Sequence, residues 1–400
     1  MGTARRKSGV LAAEIEPYRQ WLLEQGFRPG TVRTLLRNLS QLGVWLQQRE
    51  MTGATIDAAL VDEVFAQRRA LGRRGVPGRL GTGRLLAFLD ERGLLAPAPQ
   101  EQPTALDLLL EEFRQWLFQE RNLSASTVLR YERTARRFLS EQALREGVLR
   151  VGDLTGADVN AFLLRECSRV SAGSAKGRVA ELRSLLRFCY LRQLLPMRLG
   201  AAVPPVGGWR LASIPVIVSA ADVAAVIDSC DVSTLQGRRN RAIMLLVARL
   251  GLRSIEVARL ELDDIDWRRG ELTVRGKARR QDKLPLPSEV GEALSAYLVE
   301  RGQVEGSRRV FFTCRAPRQP IRPDLVNDVV ERACLAAGIR RFGPHRMRHA
   351  LAGELLRKGA GLRAIGQVLR HQDLATTALY AKVDLDTLRG IALPWPGADR

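Results

Sequence analysis

The sequence predicts a mainly α-helical protein: two N-terminal helical bundles followed by a mixed α+β domain carrying a small antiparallel sheet. Three observations predict it. Two stretches near the N-terminus share a helix–turn–helix pattern, two proline-containing breaks divide the chain, and an alternating β-branched stretch comes only after the second break. Length agrees, because a single hydrophobic core rarely serves 400 residues.

The first bundle is placed at residues 12–95. It contains YRQWLLEQGFRPGTVRTLLRNL from Tyr18, in which an apolar helix meets Pro29-Gly30 and Thr31-Val32 opens a basic helix. The second bundle, 106–195, reads FRQWLFQERNLSASTVLRYERTA from Phe113, with Ser124 and Ser126 as N-cap candidates. Each copy then passes through an acidic start (ATIDAALVDEVFAQR, LTGADVNAFLLREC) into a last helix with arginines (GRLLAFLDERGLL, ELRSLLRFCYLRQLL). The match is loose, so it fits either duplication or two small bundles that converged. The polar linker APAPQEQPTA separates them. The second break, Pro196 to Pro215, is rich in Gly and Pro. A third domain spans 213–388, helical at first (SAADVAAVIDSC, NRAIMLLVARLGL). Its stretch LELDDIDWRRGELTVRGKARRQDKLPLP has the alternation and glycine turn of a short sheet. A tail occupies 389–400. In Val383 to Arg400 the apolar set Leu385, Leu388, Ile391 and Leu393 is expected to pack on a neighbouring copy, to dock on its own chain or to fray.

Composition narrows the function classes. The formal charge of +20 points to a polyanionic partner, since each cation placed on a phosphate releases counterions. Only six of the 63 basic residues are lysines, so each lysine is worth locating. Five cysteines lie far apart without a CxxC pair, which suits reduced, mostly buried thiols better than a zinc site or a disulfide framework. No apolar run reaches membrane-spanning length, and Glu14 and Glu16 interrupt any signal-peptide core, so a cytoplasmic protein is expected.

The chemistry-bearing residues cluster late. His345, His349 and His371 are the only histidines. Taken singly, each suits a structural imidazole as well as a proton carrier. In GPHRMRHA, Pro344 suits a first helical turn, and His345 and Arg348 at i and i+3 then share a helix face. A cation beside an imidazole is what phosphodiester chemistry uses; His349 is assigned a structural role. In GLRSIEVARL, Arg253 follows a Gly-Leu break, and Glu256 either orients its guanidinium or caps the helix. In VRGKARRQDKLPLP, Lys277 sits at a turn between strands, where an ammonium can donate a proton as a guanidinium cannot. LRHQDLATTALYAKV supplies His371 and, nine residues later, Tyr380, which reads either as an amphipathic core side chain or as a nucleophile.

Arg253, Lys277, His345, Arg348, His371 and Tyr380, in that order and spacing, resemble the tyrosine recombinase (phage integrase) family. The motifs are GLRxxEVxxL, the GK hairpin ending in PLP, PHxxRH and HxDxxTTxxY. The resemblance covers about 215–388 strongly. It covers 106–195 moderately, as a core-binding, SAM-like helical domain. It implies that Tyr380 attacks the scissile phosphate to form a 3′-phosphotyrosyl bond. Arg253 and Arg348 would bind its non-bridging oxygens, Lys277 would protonate the leaving 5′ oxygen, His345 would assist proton removal from Tyr380, and His371 would hydrogen-bond the phosphate. No cofactor and no metal are implied. The implied partners are double-stranded DNA, gripped as by a clamp, and related recombinases in a homo- or hetero-tetramer, with no membrane and no small-molecule substrate. The extra bundle favours an integrase or transposase of a mobile element. A type IB topoisomerase-like enzyme and a non-catalytic DNA-binding protein of the same fold are the alternatives. Three positions depart from the family's pattern. Ile255 replaces a small polar residue and Ala278 a glycine, and Arg370 stands where glycine usually precedes the histidine, so its bulk is expected to alter the approach to phosphate.

Overall fold

The structure, a computed structural model, describes residues 9–51, 56–73, 75–96, 102–145, 148–205, 218–276 and 281–370. The chain forms two compact units, one drawn from residues 1–98 and 213–400 and the other from 99–212. The architecture is mainly helical, with a three-stranded antiparallel sheet.

In the first unit, the N-terminal part contains α1 (Ile15–Glu24), α2 (Pro29–Gln48), α3 (Ala58–Ala70) and α4 (Arg79–Glu91). Pro29 occupies the first turn of α2, where its missing N–H costs nothing. The Asp57 side chain caps α3 by accepting from Leu60 N at 2.7 Å. Tyr18, Leu22, Leu39, Leu42, Phe65 and Phe88 form its core, with the Tyr18 and Phe88 rings 4.6 Å apart.

The second unit holds α5 (Ala105–Gln119), α6 (Ala125–Gln142), α7 (Gly156–Cys167) and α8 (Ala172–Leu191). Reciprocal capping boxes, Thr104 with Asp107 and Thr155 with Asp158, start α5 and α7. Ser124 takes the N-cap position of α6, but its hydroxyl contacts those of Ser126 and Thr127 and makes no side-chain cap bond, and Ser126 lies inside the helix. A miniature hairpin not foreseen from the sequence follows α6, pairing β1 (Leu144–Arg145) with β2 (Val148–Leu149). Phe113 packs on Phe188, and Phe138 meets Phe162 edge-on, each pair at 5.2 Å. Inside this apolar core, Glu181 accepts from Thr134 at 2.6 Å and pairs with Arg130 and Arg178 at 2.8 and 3.0 Å.

The rest of the first unit is built around α10 (Leu235–Leu250). Ala242 to Ala248 are all buried, so this stretch of the helix is apolar all round and sits centrally. Against it pack α9 (Ala220–Asp228), α12 (Ser288–Arg301), α13 (Pro323–Ala336) and α14 (Pro344–Arg357). The short α11 (Ser254–Arg259) follows α10 after a sharp turn. The sheet runs β3 (Ile265–Asp266), β4 (Glu271–Arg275), β5 (Gln281–Pro285), with Leu272 opposite both Ile265 and Leu284. Burial alternates along β4, placing Leu272 and Val274 in the core. Lys283 on β5 faces Glu271 at 3.3 Å. Finally α15 (Leu362–Val368) docks on α14 through Ala352, Ile365 and Leu369. Within this unit the loop before α13 reaches the N-terminal helices: Arg318 N donates to Gln25 O at 3.1 Å, and Ala316 packs against their core. All five cysteines are free thiols; Cys189 and Cys334 are buried and the other three half-buried. No described helix is long and apolar enough to cross a membrane.

Candidate active site around Arg253, His345 and Arg348

Three of the six expected residues, Arg253, His345 and Arg348, lie within the described chain. Lys277, His371 and Tyr380 lie outside the described residues. Lys277 belongs to the segment joining β4 to β5, and His371 directly follows Arg370 in sequence.

The site begins where α10 ends. Gly251 takes a left-handed φ of 58°, ending the helix. A Cβ there would come within 2.7 Å of Leu369 Cδ2, so the close approach of α10 to the turn after α15 also requires glycine. Two residues on, Arg253 is the N-cap of α11. The two roles left open for Glu256 are both realised: Oε2 accepts from Arg253 N at 2.8 Å and Oε1 from Arg253 Nη1 at 2.7 Å. The Arg253 side chain stays 39% exposed while that of Glu256 is 3% exposed. A cation facing solvent is thus held from behind by a buried anion.

Arg348 approaches from α14 and is buried at 2%. Its Nη1 donates to the Gly251 carbonyl and its Nη2 to the Leu369 carbonyl. His345, one turn earlier, reaches the surface. Partial burial, then the charges of Arg348 and Arg253, hold its pKa below the usual histidine value. His349 packs edge-on against His345 at 4.7 Å, and burial with the neighbouring His345, Arg348 and Arg346 brings its pKa to about 4. Both imidazoles are therefore neutral at pH 7, and a neutral His345 can accept a proton.

The site also contains Arg370, the residue that stands where the family usually has glycine. Arg370 does not project into the approach to the site. Its backbone adopts a left-handed φ of 53° and its side chain is buried, with Nη2 on Glu256 Oε2 at 2.8 Å. The expectation that its bulk alters the approach to phosphate is corrected to this extent: the side chain is turned inward, onto Glu256, and does not stand in that approach. Among the described residues, no group of three or more His, Cys, Asp or Glu side chains is arranged to hold a metal ion.

Comparison with known proteins gives the family. Residues 217–386 match the profile of the "Phage integrase family", and residues 110–193 match "Phage integrase, N-terminal SAM-like domain". The chain is 38% identical over 404 residues to integrase/recombinase y4rA of Sinorhizobium fredii, an alignment covering 98% of this chain and 97% of that one. This chain belongs to the tyrosine recombinase (phage integrase) family.

Tyrosine recombinase XerD of Mycobacterium tuberculosis is 31% identical over 314 residues, covering 73% of this recombinase and 97% of XerD. Among solved structures, XerH bound to a palindromic difH substrate after cleavage shares the fold, with a TM-score of 0.54 at 18% identity, covering 73% of this chain and 97% of that one. A lambda integrase tetramer bound to a Holliday junction has a TM-score of 0.53 at 18% identity, covering 76% and 87%. As a tyrosine-type recombinase, the protein is a site-specific DNA recombinase. The y4rA alignment necessarily takes in the N-terminal helices of the first unit, because it leaves out only 2% of this chain.

Proposed function

We propose that this recombinase cleaves and religates DNA through a 3′-phosphotyrosyl intermediate on Tyr380, as an integrase or transposase of a mobile element. The observation that carries the reading is the pairing of a half-exposed, carboxylate-held Arg253 with Arg348 beside a neutral His345. Two guanidiniums suit the charge that gathers on non-bridging oxygens as phosphorus becomes five-coordinate. Arg253 offers its exposed edge directly. Arg348 reaches the phosphate by exchanging the Leu369 carbonyl for a phosphate oxygen.

In the first step the Tyr380 phenolic oxygen bonds to phosphorus, and its proton passes to His345 or to water held by it. The bond from phosphorus to the 5′ oxygen breaks, and Lys277 protonates the leaving oxygen. His371 donates a hydrogen bond to the phosphate. The covalent ester conserves the bond, so a 5′-hydroxyl from a second duplex can reverse the chemistry without ATP. Exchange between duplexes involves several protomers, and the tetramer found for lambda integrase on a Holliday junction supports a tetramer on DNA here, formed with itself or with related recombinases. The bundle of 12–95, the core-binding domain of 106–195 and the catalytic domain of 213–388 are the working parts of this proposal. The full-length match to y4rA supports grouping the protein with integrase/recombinases that carry the extra N-terminal helices.

The test is a nicked suicide substrate built on a site footprinted with the purified protein. Wild type should yield a covalent protein–DNA adduct and Tyr380→Phe none. Adduct in both would refute the nucleophile. Relaxation of a plasmid that lacks the site would favour a topoisomerase-like activity, and binding without adduct a non-catalytic protein.

A further inference from the structure

Arg370 is an unexpected residue for its place. A φ of 53° suits glycine, and an arginine adopts it at some cost in backbone strain. Its guanidinium is buried as well, and burying an ion pair is a poor source of stability. The pair is nonetheless almost fully enclosed, with 4% of the Arg370 side chain and 3% of the Glu256 side chain exposed. Arg370 Nη2 bridges Glu256 Oε2 at 2.8 Å and the Gly251 carbonyl at 3.1 Å. Nη1 reaches the Leu250 and Val368 carbonyls at 3.3 and 3.2 Å. Its own main-chain carbonyl accepts from Arg253 Nη2 at 3.2 Å. Arg370 therefore touches Arg253 by two routes, through Glu256 and through its own backbone.

Charge balance gives these contacts a purpose. With Glu256 as its sole ionic partner, Arg253 would form a pair of zero net charge. Adding Arg370 on the other carboxylate oxygen leaves the trio with one net positive charge, at low dielectric where that charge counts more. The Gly251 carbonyl also accepts from both Arg348 and Arg370, so the buried arginine shares an anchor with the second candidate phosphate ligand.

We propose that Arg370 is a positioning residue for strand cleavage: it holds Glu256 and Arg253 in register and leaves the Arg253 charge uncancelled at the scissile phosphate. The inference rests on the reading of Arg253 as a phosphate ligand. It gives a positive task to a side chain that replaces the glycine usual in the family's motif.

The test uses full-length protein and the nicked suicide substrate, measuring single-turnover adduct formation at saturating protein, half-site affinity and thermal unfolding. Arg370→Met should slow adduct formation by on the order of tenfold to a hundredfold, with half-site affinity changed by less than about threefold. In a Glu256→Gln background the same substitution should cost several-fold less, because the anion it answers is gone. Arg370→Gly, which relieves the left-handed strain and so guards against misfolding, should still be slow, whereas Arg370→Lys should recover part of the rate. Wild-type rates in both Arg370→Met and Arg370→Gly would overturn the inference. So would equal losses with and without the Glu256 carboxylate, or a slowing that only tracks lost thermal stability. If wild type itself forms no adduct on any footprinted site, the proposed cleavage chemistry fails, and this inference with it. A cleaving wild type with indifferent Arg370 variants sinks the inference alone.

Discussion

His345 and His349 stand one turn apart on α14, and their ring contact makes protonation of either unfavourable for the other. For His349 the consequence is a pH-dependent stability of definite sign. Its pKa falls from 6.5 to about 4 on folding. The unfolded chain takes up a proton as pH drops below 6.5 while the folded one does not, so stability present at pH 7 drains away between about 6.5 and 4. The loss approaches about 3 kcal/mol at most by linkage. Thermal unfolding of wild type and His349→Gln from pH 7.5 to 4.5 checks this, and the variant should show the shallower decline. Arg253, His345 and Arg348 were legible in sequence because each sits at a helix opening or on a helix face marked by Gly or Pro. Arg370 was not legible in the same way. Whether its side chain faces solvent or core turns on the sign of one φ angle, and no neighbouring residue type announces that sign. Glu256 fell between the two: its spacing from Arg253 indicated contact, but not that a second arginine would claim its other oxygen.

Among whole elements, α6 and α8 are joined by a polar knot inside an apolar core. Glu181 is buried there with Thr134, Arg130 and Arg178 all directed at its carboxylate. Removing the anion strands those donors, so Glu181→Ala should destabilise the second unit by about 3 kcal/mol. Amide hydrogen exchange should then accelerate in α6 and α8 while α9–α14 keep wild-type protection, and unchanged exchange in α6 would refute the account. In this unit Ser124 was readable as an N-cap position, although its hydroxyl makes no cap bond, whereas the capping boxes at Thr104 and Thr155 were not read from the sequence. The hairpin at residues 144–149 was not readable either, because two-residue strands carry no periodicity to detect. In the first unit α10 announced itself as apolar, and the small sheet by alternation in β4. The docking of Ala316 against the N-terminal helices depends on contacts nearly 300 positions apart and leaves no local trace.

The molecule as a whole carries a charge of +20, almost all of its cations being arginine. Because counterion release sets the affinity, DNA binding should weaken steeply with salt. If six to ten phosphates are contacted, affinity should fall by about 10³-fold or more between 50 and 200 mM monovalent salt. Titration of a fluorescent duplex across that range measures the slope, and a flat response would contradict a phosphate-dominated interface. The mainly helical fold with one small antiparallel sheet was legible in the sequence pattern. Association of the N-terminal helices with the sheet-bearing part was not, since chain order says little about which surfaces meet.

Arg370, pinned by its guanidinium and its carbonyl alike, is also the gatepost from which the chain departs toward Tyr380, the proposed nucleophile. Tyr380 comes ten residues later, and a fully stretched peptide of that length spans at most about 35 Å. Under the proposed chemistry that length, plus one tyrosine side chain, ties the phenol to its own Arg253 and Arg348, so any exchange of tyrosines between subunits would be confined to copies whose centres lie within that reach.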